Sequence, residues 1–184
     1  EEAFRIGYQV MVGRAGADAA GKAFAELADA CIIALARAAE QEVSRRDGPA
    51  PGRWLVCGLG KLGGRELSAG SDLDLLVIYE AEAEGAQTWF TRFTQRLIAA
   101  LSAPTEEGGL YEVDMQLRPS GRSGPVAVQI SAFERYYLGE AWTWERMALT
   151  RLRVVAGSDV LARTLDQAMG RIFAAQSQTP ANRQ

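Results

Sequence analysis

The sequence has 184 residues and a formal net charge of −3, long enough for one domain with a sizeable core and without the basic face that a nucleic-acid binder shows. It contains no histidine, which excludes triads built on a His base and zinc sites of the Cys/His kind. General-base chemistry must therefore fall to a carboxylate, a lysine or a tyrosine.

The two cysteines, Cys31 and Cys57, lie in apolar runs and read as small buried hydrophobes rather than a disulfide pair. No window of about 18 apolar residues occurs and no signal peptide opens the chain, so a cytoplasmic protein without membrane contact is expected. The first residue is Glu1 rather than Met, as in a piece excised from something longer.

Residues 1–13 fit one helix ending near Gly13 or Gly16. From Ala17 to about Arg46, Phe24, Leu27, Ala28, Cys31, Ile32, Leu35 and Ala39 recur at helical spacing. A long amphipathic helix of this kind reads as a packing helix before it reads as an interdomain strut. Residues 47–53, with Gly48, Pro49, Pro51 and Gly52, form a linker or entry loop. Residues 1–50 are thus expected as a helical extension, 51–175 as the main domain and 176–184 as a polar tail.

The stretch from Trp54 to Tyr79 organises the rest. Trp54 to Cys57 has strand composition, and Gly58, Gly60, Gly63 and Gly64 follow, where backbone can approach a ligand without a Cβ in the way. A second apolar run begins with Asp72 and Asp74. On a strand these two carboxylates share one face while Leu73 and Leu75 take the other. Adjacent acids repel unless one is protonated or a cation lies between them, and hard oxygen ligands suit Mg²⁺, which brings substrate phosphates with it.

After an acidic turn at 80–85, residues 86–101 place Trp89, Phe90, Phe93, Leu97, Ile98 and Leu101 on one helical stripe, a core face rather than a cofactor box. Residues 102–109 read as a loop. Residues 110–117 alternate, with Tyr111, Val113, Met115 and Leu117 to one side and Glu112, Asp114 and Gln116 to the other. Such a strand offers Asp114 as a third carboxylate for the same cation. Residues 118–125 form a loop whose Arg118 and Arg122 either fork onto phosphate oxygens or make a solvated basic turn. Residues 126–130 are a short strand, Ser131 to Glu134 reads as a capping box, and 142–155 as a helix. Gly157 and Ser158 close that helix and cap the last one, striped by Val160, Leu161, Leu165, Ala168, Met169, Ile172 and Phe173.

Gly58-x-Gly60-x-x-Gly63 after a strand also matches a dinucleotide fingerprint, with Glu80 as the ribose acid. Only seven residues separate Gly64 from Asp72, too few for the crossover helix of a βαβ unit, and a nicotinamide site leaves both acids unexplained. Each acid alone has an ordinary reading, as a turn cap or an exposed strand residue. Together, beside a glycine-rich loop, they favour a metal site.

Gly60-Lys-Leu-Gly-Gly-Arg-Glu-Leu, Gly70-Ser-Asp-Leu-Asp-Leu and Tyr111-Glu-Val-Asp-Met-Gln-Leu-Arg-Pro-Ser-Gly resemble the glutamine synthetase adenylyltransferase family. Ser71-Asp72-x-Asp74 with a distant strand Asp is similar to the DNA polymerase β-like nucleotidyltransferases. The resemblance implies an α+β fold, a mixed sheet flanked by helices after an N-terminal helical extension. It implies a Mg²⁺-dependent transfer of AMP from ATP to a tyrosine of glutamine synthetase, releasing pyrophosphate, with a PII-type signalling protein as a further partner. Asp72, Asp74 and Asp114 would hold metal and carry catalysis, and Gly63, Gly64 and Ser71 would cradle phosphates, with Lys61 and Arg118 adding charge.

Tyr111-Glu-Val-Asp and Glu140-Ala-Trp-Thr-Trp-Glu resemble the adenylylating, C-terminal half of the family's bifunctional enzymes more than the half that removes AMP by phosphorolysis. The phosphorolytic domain and a non-catalytic ATP-binding module are the alternatives. One departure lies at the site: the family usually has arginine where this chain has Gln116, which strand alternation puts on the face of Asp114.

Overall fold

The two apolar runs of the sequence become the central strands of a mixed sheet. The computed structural model describes residues 1–105 and 108–177. In chain order the elements are α1 (Glu2–Met11), α2 (Ala17–Asp47), β1 (Arg53–Gly58), the single turn α3 (Gly60–Gly63), β2 (Leu73–Glu80) and α4 (Ala86–Leu101). The short β3 (Pro104–Thr105), β4 (Gly108–Gly109), β5 (Val113–Asp114) and β6 (Ala127–Gln129) follow. Then come α5 (Ile130–Gly139), α6 (Thr143–Ala148), a 3₁₀ turn at Leu149–Arg151, β7 (Arg153–Gly157) and α7 (Asp159–Ser177).

β1 lies between β2 and β7, antiparallel to both. The free edge of β2 takes two parallel partners, β5 at its start and β6 further along. This is the expected α+β architecture. Because β1 and β2 are antiparallel neighbours, the glycines between them are not part of a crossover, and the dinucleotide reading fails on topology.

Helices cover both faces, which explains why β1 and β2 read as continuous apolar runs. Trp54, Val56, Leu73, Leu75, Val77 and Tyr79 point into a core shared with α2 and α4. Leu55, Cys57, Leu76 and Ile78 point into a second core with α5 and α7. The aromatic stripe of α4 is core, as expected: Trp54 and Phe93 have ring centroids 4.8 Å apart, and Tyr79 stacks on Phe90 at 4.5 Å. α2 meets this core through Ala25, Ala28, Ile32, Ala36, Ala39 and Val43, all buried. The larger Phe24, Leu27, Cys31 and Leu35 lie half-buried beside that line. Its small residues let the helix approach the sheet closely. Both cysteines are free thiols.

Four expectations fail. The helix expected over 142–155 is only α6 and one 3₁₀ turn, and its end is strand β7. Val154 and Val155 suit a sheet edge, and pairing with β1 overrides the helical propensity of the residues before them. The strand expected over 110–117 pairs only at Val113 and Asp114: β2 begins at Leu73, opposite Val113, and after Asp114 the chain turns away at Gln116 and Leu117 although β2 runs on. The loop expected at 102–109 instead contains the β3–β4 pair. The capping box at Ser131 is also absent, since α5 already starts at Ile130 with Gln129 as N-cap and no side-chain cap. Glu145 does that kind of work on α6 instead, accepting the Trp142 N–H at 2.8 Å. Ser158 does cap α7, accepting the Leu161 N–H at 3.4 Å. Of the polar tail, residues 178–184 lie outside the described residues.

Candidate active site

Strand pairing brings the acids together. Asp74 is directly opposite Asp114 in the parallel β2–β5 register. Asp72 lies two residues before Asp74, on the side of β2 away from the core of Leu73 and Leu75. Asp72, Asp74 and Asp114 each offer one carboxylate oxygen, and these oxygens all lie within 4.8 Å of one another. Asp72 is exposed and the other two are half-buried. The Asp114 Oδ1 accepts the Gln116 N–H at 2.7 Å, which fixes that carboxylate.

The electrostatics suit a cation. Asp74 is held above the usual Asp pKa, first by burial, then by the charges of Asp72 and Asp114, with Lys61 partly offsetting them. Octahedral Mg²⁺ at about 2.1 Å spaces its ligand oxygens roughly 3 to 4 Å apart. Three carboxylate oxygens within 4.8 Å of one another are compatible with that requirement. The residues present suit a hard divalent cation.

Gly60 to Gly63 form the turn beside this cluster. Gly60 has φ +50, and a Cβ there would lie 2.0 Å from the Asp74 Oδ2, so only glycine allows the carboxylate this close. A Cβ on Gly63 would meet the Arg151 carbonyl oxygen at 1.8 Å. The N–H groups of Gly63 and Gly64 donate to the Leu59 and Gly60 carbonyls at 2.7 and 3.1 Å. These two glycines therefore shape the turn, and the donors left without an acceptor inside it belong to its first residues, Gly60, Lys61 and Leu62.

The other expected residues divide. Lys61 is exposed at the turn. The Ser71 hydroxyl accepts the Ser68 N–H at 3.1 Å and pairs with the Ser68 hydroxyl at 2.8 Å, closing the loop that leads to Asp72. Arg118 is buried, donating from Nη1 to the Met115 carbonyl at 2.6 Å and from Nε to the Gly124 carbonyl at 3.3 Å. It braces the loop after β5. The side chain of Arg122 lies outside the described part. Gln116 is exposed in a turn beyond β5, so alternation does not decide which way its side chain faces. Burial first and the Cys31 thiol next push the Tyr111 hydroxyl up to about 12, so it stays protonated at neutral pH.

Two arginines at this site escape a reading of the sequence. Arg151 donates to Glu66 at 2.7 and 3.3 Å and to the Gly60 carbonyl at 3.5 Å. Arg153 reaches the same turn from β7. The alternation Arg151-x-Arg153 was the available signal, hidden by the helical reading of that segment.

No helix among the described residues is long and apolar enough to cross a membrane. Residues 1–168 match the family model described as glutamate-ammonia ligase adenylyltransferase. A bifunctional glutamine synthetase adenylyltransferase/adenylyl-removing enzyme of Agrobacterium fabrum is 52% identical over 168 residues, covering 85% of this chain and 17% of that protein. The enzymes of that name from Caulobacter vibrioides and Rhizobium meliloti are 54% and 49% identical, over 86% and 88% of this chain and 17% of each relative. The chain thus spans about 17% of the length of these relatives. On a match of this extent and identity, the chain belongs to the glutamate-ammonia ligase adenylyltransferase family.

Proposed function

We propose that this chain is a nucleotidyltransferase domain that moves AMP from ATP to a tyrosine of glutamine synthetase, in the cytoplasm, with Mg²⁺ and with loss of pyrophosphate. The observation that carries the reading is the convergence of Asp72, Asp74 and Asp114 beside the Gly60–Gly63 turn. Bound Mg²⁺ supplies charge stabilisation to the phosphates and to the attacking and leaving oxygens, and the three carboxylates hold it.

The chain's own groups do the rest. The tyrosine hydroxyl, with an ordinary pKa near 10, must lose its proton as its oxygen bonds to the α-phosphorus. Asp114, oriented by the Gln116 N–H, takes that proton. The bond from the α-phosphorus to the bridging oxygen breaks, and pyrophosphate leaves. The N–H groups of Gly60 and Lys61, the Lys61 ammonium and the Ser71 hydroxyl bind and orient the phosphates. No histidine is needed.

The names of the relatives contain both adenylylation and removal of AMP; Glu140-Ala-Trp-Thr-Trp-Glu and Tyr111-Glu-Val-Asp favour the first. Glutamine synthetase is incubated with the chain, Mg²⁺ and α-labelled ATP. Label on a partner tyrosine together with released pyrophosphate is expected, and Asp74→Asn should abolish both. ADP formed from pre-adenylylated partner and inorganic phosphate, without forward labelling, would assign the chain to the reverse reaction.

A further inference from the structure

We propose that Arg153, held by Asp29 of α2, is a positioning residue that fixes the Gly60–Gly63 turn against the carboxylate cluster for nucleotide binding. This role rests on the nucleotide reading of the turn. Arg153 lies on β7, whose register against β1 shifts between Val56 and Cys57, and pairs with Gly58, just before the turn. Its Nη1 and Nη2 donate to the two carboxylate oxygens of Asp29 at 2.8 and 2.9 Å. The same guanidinium reaches the far end of the turn, with Nη2 donating to the Leu62 carbonyl at 2.9 Å and Nε to the Gly63 carbonyl at 3.3 Å. The two side chains are only 21% and 15% exposed, so this pair is shielded as the surface pairs of the molecule are not.

The geometry makes one physical chain. Asp29 aims the guanidinium, the guanidinium holds the two carbonyls, and the carbonyls set where Gly60 sits. The Asp74 carboxylate occupies the place where a Gly60 side chain would begin, so moving the turn moves a ligand of the proposed cation or opens the space beside it. α2 is fitted to the same region elsewhere: a Cβ on Gly21 would lie 3.3 Å from the Glu66 Cα, in the segment that leaves the turn. A lysine at 153 keeps the charge against Asp29 but has one nitrogen, which cannot span both carboxylate oxygens and both carbonyls as the planar fork does.

An ion pair that merely ties α2 to the sheet would also lower stability when removed, so the test needs a readout beyond unfolding. Arg153→Lys and Asp29→Asn are compared with wild type in the whole chain, by calorimetry with Mg·ATP and by amide hydrogen exchange of the peptide covering residues 59–66. Both variants are expected to weaken Mg·ATP binding by about tenfold or more, as loss of an outer supporting partner commonly does, and to accelerate exchange in that peptide. Affinity within twofold of wild type, or unchanged exchange at 59–66, overturns the role. If Arg153→Lys fails to fold, Asp29→Asn decides on the same terms, because Asn touches neither the turn nor the carboxylates. A wild-type chain that binds no Mg·ATP overturns the nucleotide reading itself, and this role with it.

Discussion

Replacing Asp74 by Asn should make the metal-free protein more stable while removing its response to Mg·ATP. Asp74 has its carboxylate within 4.8 Å of those of Asp72 and Asp114. Two like charges at that distance repel by about 0.9 kcal/mol with water-like screening, and physiological salt roughly halves this. Asp72 is exposed and Asp114 half-buried, so the weak-coupling limit holds for the first pair and is a lower bound for the second, and two such terms total at least about 1 kcal/mol. The sign follows from the raised Asp74 pKa, caused first by burial and then by Asp72 and Asp114. Between the ordinary Asp value and the raised one, the folded state holds a proton that the unfolded state has released. Stability therefore falls as pH rises through that window and stays lower at neutral pH.

In EDTA at pH 7, Asp74→Asn should melt roughly 2–4 °C above wild type, the shift that about 1 kcal/mol gives a chain of this size. The difference should vanish below about pH 4, where the wild-type carboxyl is protonated in both states. In Mg·ATP at a hundred times its Kd the wild type gains about 2.7 kcal/mol, whereas the variant gains little, so the order of melting temperatures reverses. Thermal unfolding at pH 3.5 and 7, in EDTA and in Mg·ATP, reads all four conditions. A variant less stable than wild type in EDTA at pH 7, or one that keeps the Mg·ATP shift, refutes the reasoning.

Gly63→Ala should displace the 3₁₀ turn at Leu149–Arg151, since its Cβ would meet the Arg151 carbonyl at 1.8 Å. We expect a loss of about 1–3 kcal/mol in denaturant unfolding and Mg·ATP binding weakened beyond detection by calorimetry, whereas Gly139→Ala, with open space around it, serves as the neutral control. Gln116→Arg should tighten Mg·ATP binding by about 1 kcal/mol, the scale of one net hydrogen bond at an exposed position, because the backbone of residue 116 already contacts Asp114. Unchanged affinity would mean that the side chain at 116 faces away from the nucleotide.

The sheet's centre was readable because β1 and β2 are buried on both faces, which leaves an unbroken apolar signature in the residues themselves. The acids were readable for a related reason: Asp72 and Asp74 sit at the mouth of such a run, two apart, and adjacent like charges repel unless a cation lies between them. Short elements behaved differently. β5 starts where its partner strand begins and ends where the chain turns at Gln116 and Leu117, and no alternation pattern records either limit. The alternation from Tyr111 to Leu117 was thus correct in placing Asp114 but overextended beyond it, and the inference drawn for Gln116 from the same alternation lost its basis.

The arginines of β7 were hidden by a conflict between levels. The residues from Thr143 to Arg151 favour helix, and a helical reading carried past Leu152 makes Arg153 one more exposed basic residue. In the folded chain the β1 edge captures Arg153–Gly157, and that pairing, not composition, turns Arg153 inward toward Asp29 and the Leu62 and Gly63 carbonyls. Asp29 was equally silent, one acid among several on an amphipathic helix, with a partner 124 residues away. A ligand set can announce itself through clustered acids and glycines, because its chemistry restricts residue type at adjacent positions. The groups that hold such a set in place need only reach it in space, so they scatter along the chain. The same scatter explains the two glycines. Gly63 and Gly64 looked like phosphate donors from sequence, and what the sequence did not record is that their N–H groups donate to the Leu59 and Gly60 carbonyls and that Gly63 packs against the Arg151 carbonyl.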